Sequence, residues 1–204
     1  MKAQQSGFTL VEIAIVLVII GLLLGGVLKG QELITQAKIK NLANDLNGIT
    51  AAVYAYQDRF KTLPGDDPKG SRWTDIATLG KTGAAGGDGD GSGALNGVET
   101  QLFWAHLRKA GFIAGDPVAG PPLNAAGGQI VVMAGGYGIG GTTICMTGLN
   151  AKMAEALDTQ TDDGSPAKGV FRADDQSMPA AAAPDAATKY VDDGSTLYSV
   201  CKQL

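Results

Sequence analysis

Histidine is nearly absent from this 204-residue chain: His106 stands alone. General acid–base catalysis uses histidine more than any other side chain, and a Ser-His-Asp triad needs one beside a nucleophile. No metal-hydrolase motif or phosphate loop accompanies it. His106 is therefore expected to be a partly exposed packing residue, on a predicted helix with Trp104, Leu107 and Arg108, and the chain is not expected to be an enzyme. Cysteine is also scarce. Cys145 and Cys201 lie far apart and outside any Cys-x-x-Cys pattern, which argues against a zinc site. Positive charge is sparse, with 16 Lys and Arg against 20 Asp and Glu, a net charge of −4. Without a basic patch, nucleic acid has no electrostatic footprint to bind. Aromatic residues make up only 6%, while glycine reaches 30 residues, so the polar part of the chain should be rich in loops. Proline is missing from the whole stretch between Phe8 and Leu63.

What the N-terminus does contain is an apolar run. Phe8 to Leu28 is interrupted only by Thr9 and Glu12. As a helix at about 1.5 Å per residue it spans about 30 Å, enough to cross a bilayer core. A short polar leader, residues 1–7, precedes it. An ordinary secretory signal has a shorter apolar part and a small-residue cleavage site beyond it. Cleavage at Gly7 would leave the apolar helix on the mature chain. Glu12 is the informative residue, because a carboxylate inside an apolar span is costly and points to function. With Phe8 as the new N-terminus, its α-amine would lie one turn from Glu12, at the positive end of the helix dipole. Between staggered subunits, the amine of one could meet the carboxylate of the next. Such a contact rewards register, since a misplaced helix leaves a charge unpaired.

The run Gly7-Phe8-Thr9-Leu10-Val11-Glu12, followed by unbroken apolar residues, resembles the class III signal of prepilins, shared by type IV pilins and type II secretion pseudopilins. The resemblance covers about the first 30 residues. It implies cleavage after Gly7 by a prepilin peptidase, N-methylation of Phe8, and a role for Glu12 as the glutamate five residues into the mature chain. Many type IV pilins carry a proline late in the membrane half of this helix. Here Gly21, Gly25, Gly26 and Gly30 could supply local flexibility instead, and the missing proline leaves pilus and secretion subfamilies open. Lys2 precedes the span, whereas Lys29, Lys38 and Lys40 follow it, so the positive-inside rule does not orient the chain. The orientation with the domain outside the cytoplasm follows from the resemblance and the cysteines.

After the span, apolar residues recur at Ile39, Leu42, Leu46, Ile49, Val53, Tyr56 and Phe60. Alternating steps of three and four make one stripe on a helix. Leu63-Pro64-Gly65 is a stop and a turn. One long helix from about Thr9 to Phe60 is predicted: a transmembrane half over 8–28 and an amphipathic half over 29–62. The segment 63–204 is predicted to be a soluble globular domain. Within it, 64–97 reads as loop, 99–110 and 148–158 as helices, and 129–133, 142–146, 169–173 and 195–202 as strands. The paired acids Asp66-Asp67 and Asp162-Asp163 read as turn chemistry, and the Ala/Pro run from Met178 to Ala187 as a surface loop. The fold expected is α+β and pilin-like, with the long helix packed on a small antiparallel sheet. In an exported domain Cys145 and Cys201 favour one disulfide over two buried thiols. That pairing would resemble the disulfide-bounded C-terminal region of type IV pilins.

One loop has metal-ligand spacing. Asp88, Asp90, Ser92 and Asn96 fall at positions 1, 3, 5 and 9 of an EF-hand-type loop. Gly93 holds the sharp-turn position, Ala94 offers a backbone carbonyl at position 7, and Glu99 a carboxylate at position 12. The glycine-rich stretch before it supplies no entering helix, so a flexible Gly/Asp turn is the alternative to a Ca2+ site.

The function expected is a structural subunit, major or minor, of a type IV pilus. It would sit in the bacterial inner membrane among lipids, engage the assembly platform, and then join a homo-oligomeric or mixed filament. A type II secretion pseudopilin in a periplasmic fibre is the near alternative. A membrane-anchored binding module that never polymerises is the distant one.

Overall fold

The computed structural model describes residues 9–76, 79, 87–176, 178–185 and 188–204. The chain divides into two compact units, Met1–Lys38 and Ile39–Leu204. The first helix, α1 (Leu10–Phe60, 51 residues), contributes to both. Its length follows from the absence of proline and from an unbroken supply of Leu, Ile, Val and Ala. The four early glycines do not interrupt it, although each weakens a helix interior by about 1 kcal/mol relative to alanine.

In the first unit α1 has no packing partner among the described residues. Its apolar side chains are exposed throughout, from Leu10 at 89% to Leu28 at 67%. In the second unit α1 buries Ile39, Leu42, Leu46, Ile49, Ala52, Val53 and Tyr56. This is the predicted stripe, with Phe60 packed at its margin. The stripe shares one core with Phe103, Trp104 and Leu107 of α2 (Glu99–Lys109) and with the sheet residues Ile130, Val132, Ile144, Met146, Phe171 and Val200. Each buried large side chain contributes about 1.5–3 kcal/mol.

Among the described residues the sheet has four strands: β1 (Ile130–Ala134), β2 (Thr142–Asn150), β3 (Phe171–Asp174) and β4 (Leu197–Gln203). Their spatial order is β1-β2-β4-β3, and every neighbouring pair is antiparallel. The fold is α+β, as the sequence implies. One boundary differs from expectation. Gly148 does not open a helix but lies inside β2, at φ +76, where the register with β4 slips between Met146 and Leu149. A bulge needs such a residue, and the strand continues to Asn150. The Asn150 side chain then accepts the Met153 N–H and caps α3 (Ala151–Thr161).

Two polar clusters fasten the loop after α1. Asp67 is buried and accepts from the Tyr56 hydroxyl at 2.6 Å, from Arg72 at 2.9 Å and from Lys69 N–H. Arg72 also lies over the Phe60 and Trp73 rings, so charge and aromatic packing act on one side chain. His106 corrects the sequence expectation, being fully buried rather than partly exposed. Its Nδ1 accepts from Gly65 N–H and its Nε2 lies 2.9 Å from the Gly87 carbonyl. The proton must therefore sit on Nε2, and the ring is neutral. α2 carries Trp104 and Leu107 into the core, and its register turns His106 inward with them.

Burial holds the His106 pKa below the ordinary imidazole value, against the pull of the Gly87 carbonyl. Protonation would also remove the acceptor that Gly65 uses. A folded-state pKa below the unfolded one makes this contribution complete above about pH 6.5 and diminishing as pH falls below that value. Thermal melts of the wild type should lose stability over that interval. His106→Gln should flatten that part of the profile while costing about 1–3 kcal/mol at neutral pH.

Candidate functional site

The N-terminus of α1 is closed by its own side chains. Thr9 Oγ1 accepts from Glu12 N–H at 3.3 Å. The Glu12 carboxylate accepts from Thr9 N–H at 2.8 Å and from the Thr9 hydroxyl at 2.7 Å. This is a capping box, which pairs donors that the first helical turn leaves unmet. The Thr-x-x-Glu spacing is its sequence signal, and the role is additional to any intersubunit contact. Gly7 and Phe8, the cleavage and methylation positions, lie outside the described residues. α1 is long and apolar enough to cross a membrane, and its most apolar stretch has no buried residue. A continuous apolar surface of this kind requires lipid or other helices around it.

Cys145 and Cys201 form a disulfide, fully buried, between directly opposed residues of β2 and β4. Gly136 packs over it, and a Cβ there would come within 3.1 Å of both sulfurs. The bridge closes a loop of 56 residues in sequence separation.

The predicted calcium loop is only partly brought together. Asp90 and Glu99 converge with Asp66, and one oxygen from each lies within 4.8 Å of the others. Asp66 was expected to be turn chemistry but is 3% exposed, and Glu99 is 4% exposed. Asp66 is placed by Gly65, whose φ of +91 and close approach to the Glu99 carbonyl leave no room for a side chain. Its oxygens accept from Ser92 N–H at 3.0 Å and Gly93 N–H at 2.6 Å. Glu99 accepts from Asp90 N–H and Asn96 N–H, so it also stitches the loop to the start of α2. Asp88 turns to Ser71 N–H, and the Ala94 carbonyl accepts from the Ser92 hydroxyl. No sequence spacing singles out Asp66, which stands 24 residues before Asp90.

Burial pushes the carboxyls of Asp66 and Glu99 up, while hydrogen bonds from Ser92 hold Asp90 down. Raised carboxyl values mean that stability falls as pH rises through their folded-state pKa values. Three crowded carboxylates suit a hard cation with oxygen ligands. Asp66 also borders a cavity of about 730 Å3 lined by Tyr54, Gln57, Lys61, Gln203 and Leu204. No described histidine, serine and aspartate form a catalytic triad, because both ring nitrogens of His106 are engaged by backbone.

Residues 2–28 match the prokaryotic N-terminal methylation motif, the signature of type IV pilins and pseudopilins. The motif implies cleavage by a prepilin peptidase and assembly with other pilins, and with the apolar helix it fits anchoring in the inner membrane. It marks a family of structural, generally non-enzymatic proteins. No curated protein matches the chain.

Loop-closure entropy values a bridge of this span at about 4 kcal/mol. A Cys145→Ala/Cys201→Ala chain should therefore unfold at clearly lower denaturant, with a loss of about 2–4 kcal/mol. An unchanged midpoint would show that the sheet alone holds β4.

Proposed function

From the methylation motif at the start of α1, we propose that this chain is a structural subunit, major or minor, of a type IV pilus. It enters the inner membrane through α1, loses its leader after Gly7, is methylated on Phe8, and joins a homo-oligomeric or mixed filament. The observation that carries this is the division of α1. One half has its apolar surface uncovered, and the other fixes the globular unit by a buried stripe. A simple anchor needs the first half only. The buried disulfide favours the pilus over the type II secretion pseudopilus.

Glu12 is assigned to subunit register. In the isolated chain its carboxylate is held by Thr9. In the filament, the α-amine of a neighbouring Phe8 competes for it, replacing neutral donors with a charged one. Glu12→Ala should still insert in the membrane, while filament yield falls on the order of tenfold or more because the amine then lacks its partner. Normal filaments from this variant would refute the register role and favour the non-polymerising anchor. Imaging a tagged chain separates long surface pili from short periplasmic fibres.

The convergence of Asp66, Asp90 and Glu99 supports a second reading, that the globular unit takes Ca2+ there. A cation would offset the cost of burying charge, which is what chiefly raises the Asp66 and Glu99 carboxyls. Calcium at about a hundredfold excess over its Kd should stabilise the fold by about 2.7 kcal/mol. Asp66→Asn should abolish that gain and Asp88→Ala should leave it. Loss in Asp88→Ala alone would restore the EF-hand-type order, and an unchanged melt at millimolar calcium would remove the site.

A further inference from the structure

The chain holds Asn-Gly at two places, Asn47-Gly48 and Asn96-Gly97, and the fold treats them differently. Asn47 lies within α1, where helical hydrogen bonding and helical φ and ψ fix the Gly48 nitrogen. Asn96 and Gly97 are exposed, in the loop before α2. Among the described residues the Asn96 side-chain amide has no hydrogen-bond partner and Gly97 N–H has no acceptor. Gly97 sits at φ +44 with open space where a Cβ would be, and it carries no side chain to crowd its nitrogen.

We propose that Asn96-Gly97 is a self-modification site at which the folded chain deamidates while Asn47-Gly48 is protected. Hydroxide removes the Gly97 amide proton, and the nitrogen attacks Asn96 Cγ. A C–N bond forms, the Cγ–Nδ2 bond breaks, and ammonia leaves with a proton from water. Water then opens the resulting succinimide. Attack at one carbonyl gives aspartate; attack at the other gives isoaspartate, with the main chain rerouted through Cβ and Cγ. No electrons are transferred.

The position gives the change a consequence. Asn96 N–H donates to Glu99 Oε2 at 2.7 Å, and the Asn96 carbonyl accepts from Glu99 N–H at 2.9 Å. Aspartate adds a carboxylate beside Glu99, whose carboxyl already has Asp66 and Asp90 for neighbours. Isoaspartate inserts a backbone carbon where those two hydrogen bonds join loop to helix.

The test is peptide mapping by mass spectrometry of the full-length protein in detergent, aged in mildly alkaline buffer, native and denatured. In the native protein, the Asn96 peptide should exchange NH2 for OH and split into aspartate and isoaspartate forms. It should do so on the order of tenfold or more faster than the Asn47 peptide, since that bond reacts only when α1 opens locally. In denaturant the two rates should converge. Asn96→Gln should remove the modification from this peptide and leave the melting curve of fresh protein unchanged. Equal native rates at both pairs, or an Asn96 peptide that reacts only in denaturant, would overturn the proposal.

Discussion

The stripe from Ile39 to Tyr56 is the contact on which the rest depends. Each strand and α2 contributes to the core that covers it, and without α1 the sheet would present an apolar face to water. A sheet that is apolar on one face must bury that face against another element. The helix supplies the second layer that makes a core possible. Its other half is under a different constraint. No side chain in its most apolar stretch is buried within the chain, so those residues were selected for surroundings that the chain itself does not provide.

Where the stripe ends, polar contacts take over. Tyr56, the last buried residue of the stripe, hands its hydroxyl to Asp67, and Asp67 holds Arg72. His106 holds Gly65 on one side and Gly87 on the other. A loop with little regular structure is thereby tied to α1 and α2 by a few buried groups. Removing one partner of such a group costs more than the hydrogen bond itself, because the other is left unpaired away from water. The carboxylates of Asp66 and Glu99 belong to the same scheme, since backbone N–H groups bind them from both sides of the loop.

Much of the fold was legible because it rests on periodicity. The steps of α1, the stop at Leu63-Pro64-Gly65, and the positions of α2 and the strands all follow from local patterns. The pairing of Cys145 with Cys201 followed from their count and compartment. The rest is set by tertiary context. Gly148 looks like a helix start until a partner strand makes it a bulge. His106 looks amphipathic until Gly65 and Gly87 are seen to need its two nitrogens. Asp66 lies next to a turn sequence, and only the folded chain brings it to Asp90 and Glu99. The Thr9 and Glu12 cap is legible in the Thr-x-x-Glu spacing, and it gives the Glu12 carboxylate a local partner beside its charge.

The strand order places β4, the last of these strands in sequence, between β2 and β3. Until residues 197–203 have been synthesised, β3 has no neighbour and β2 has only one. Completion of the sheet, and closure of the Cys145–Cys201 bridge, therefore wait for residues 197–203. Domains generally fold as units, and partly paired strands are the species most prone to associate wrongly. A chain that stops before residue 197 lacks this inner strand and one cysteine of the bridge. The topology thus ties the folded state of the globular unit to the strand of its sheet that is made last.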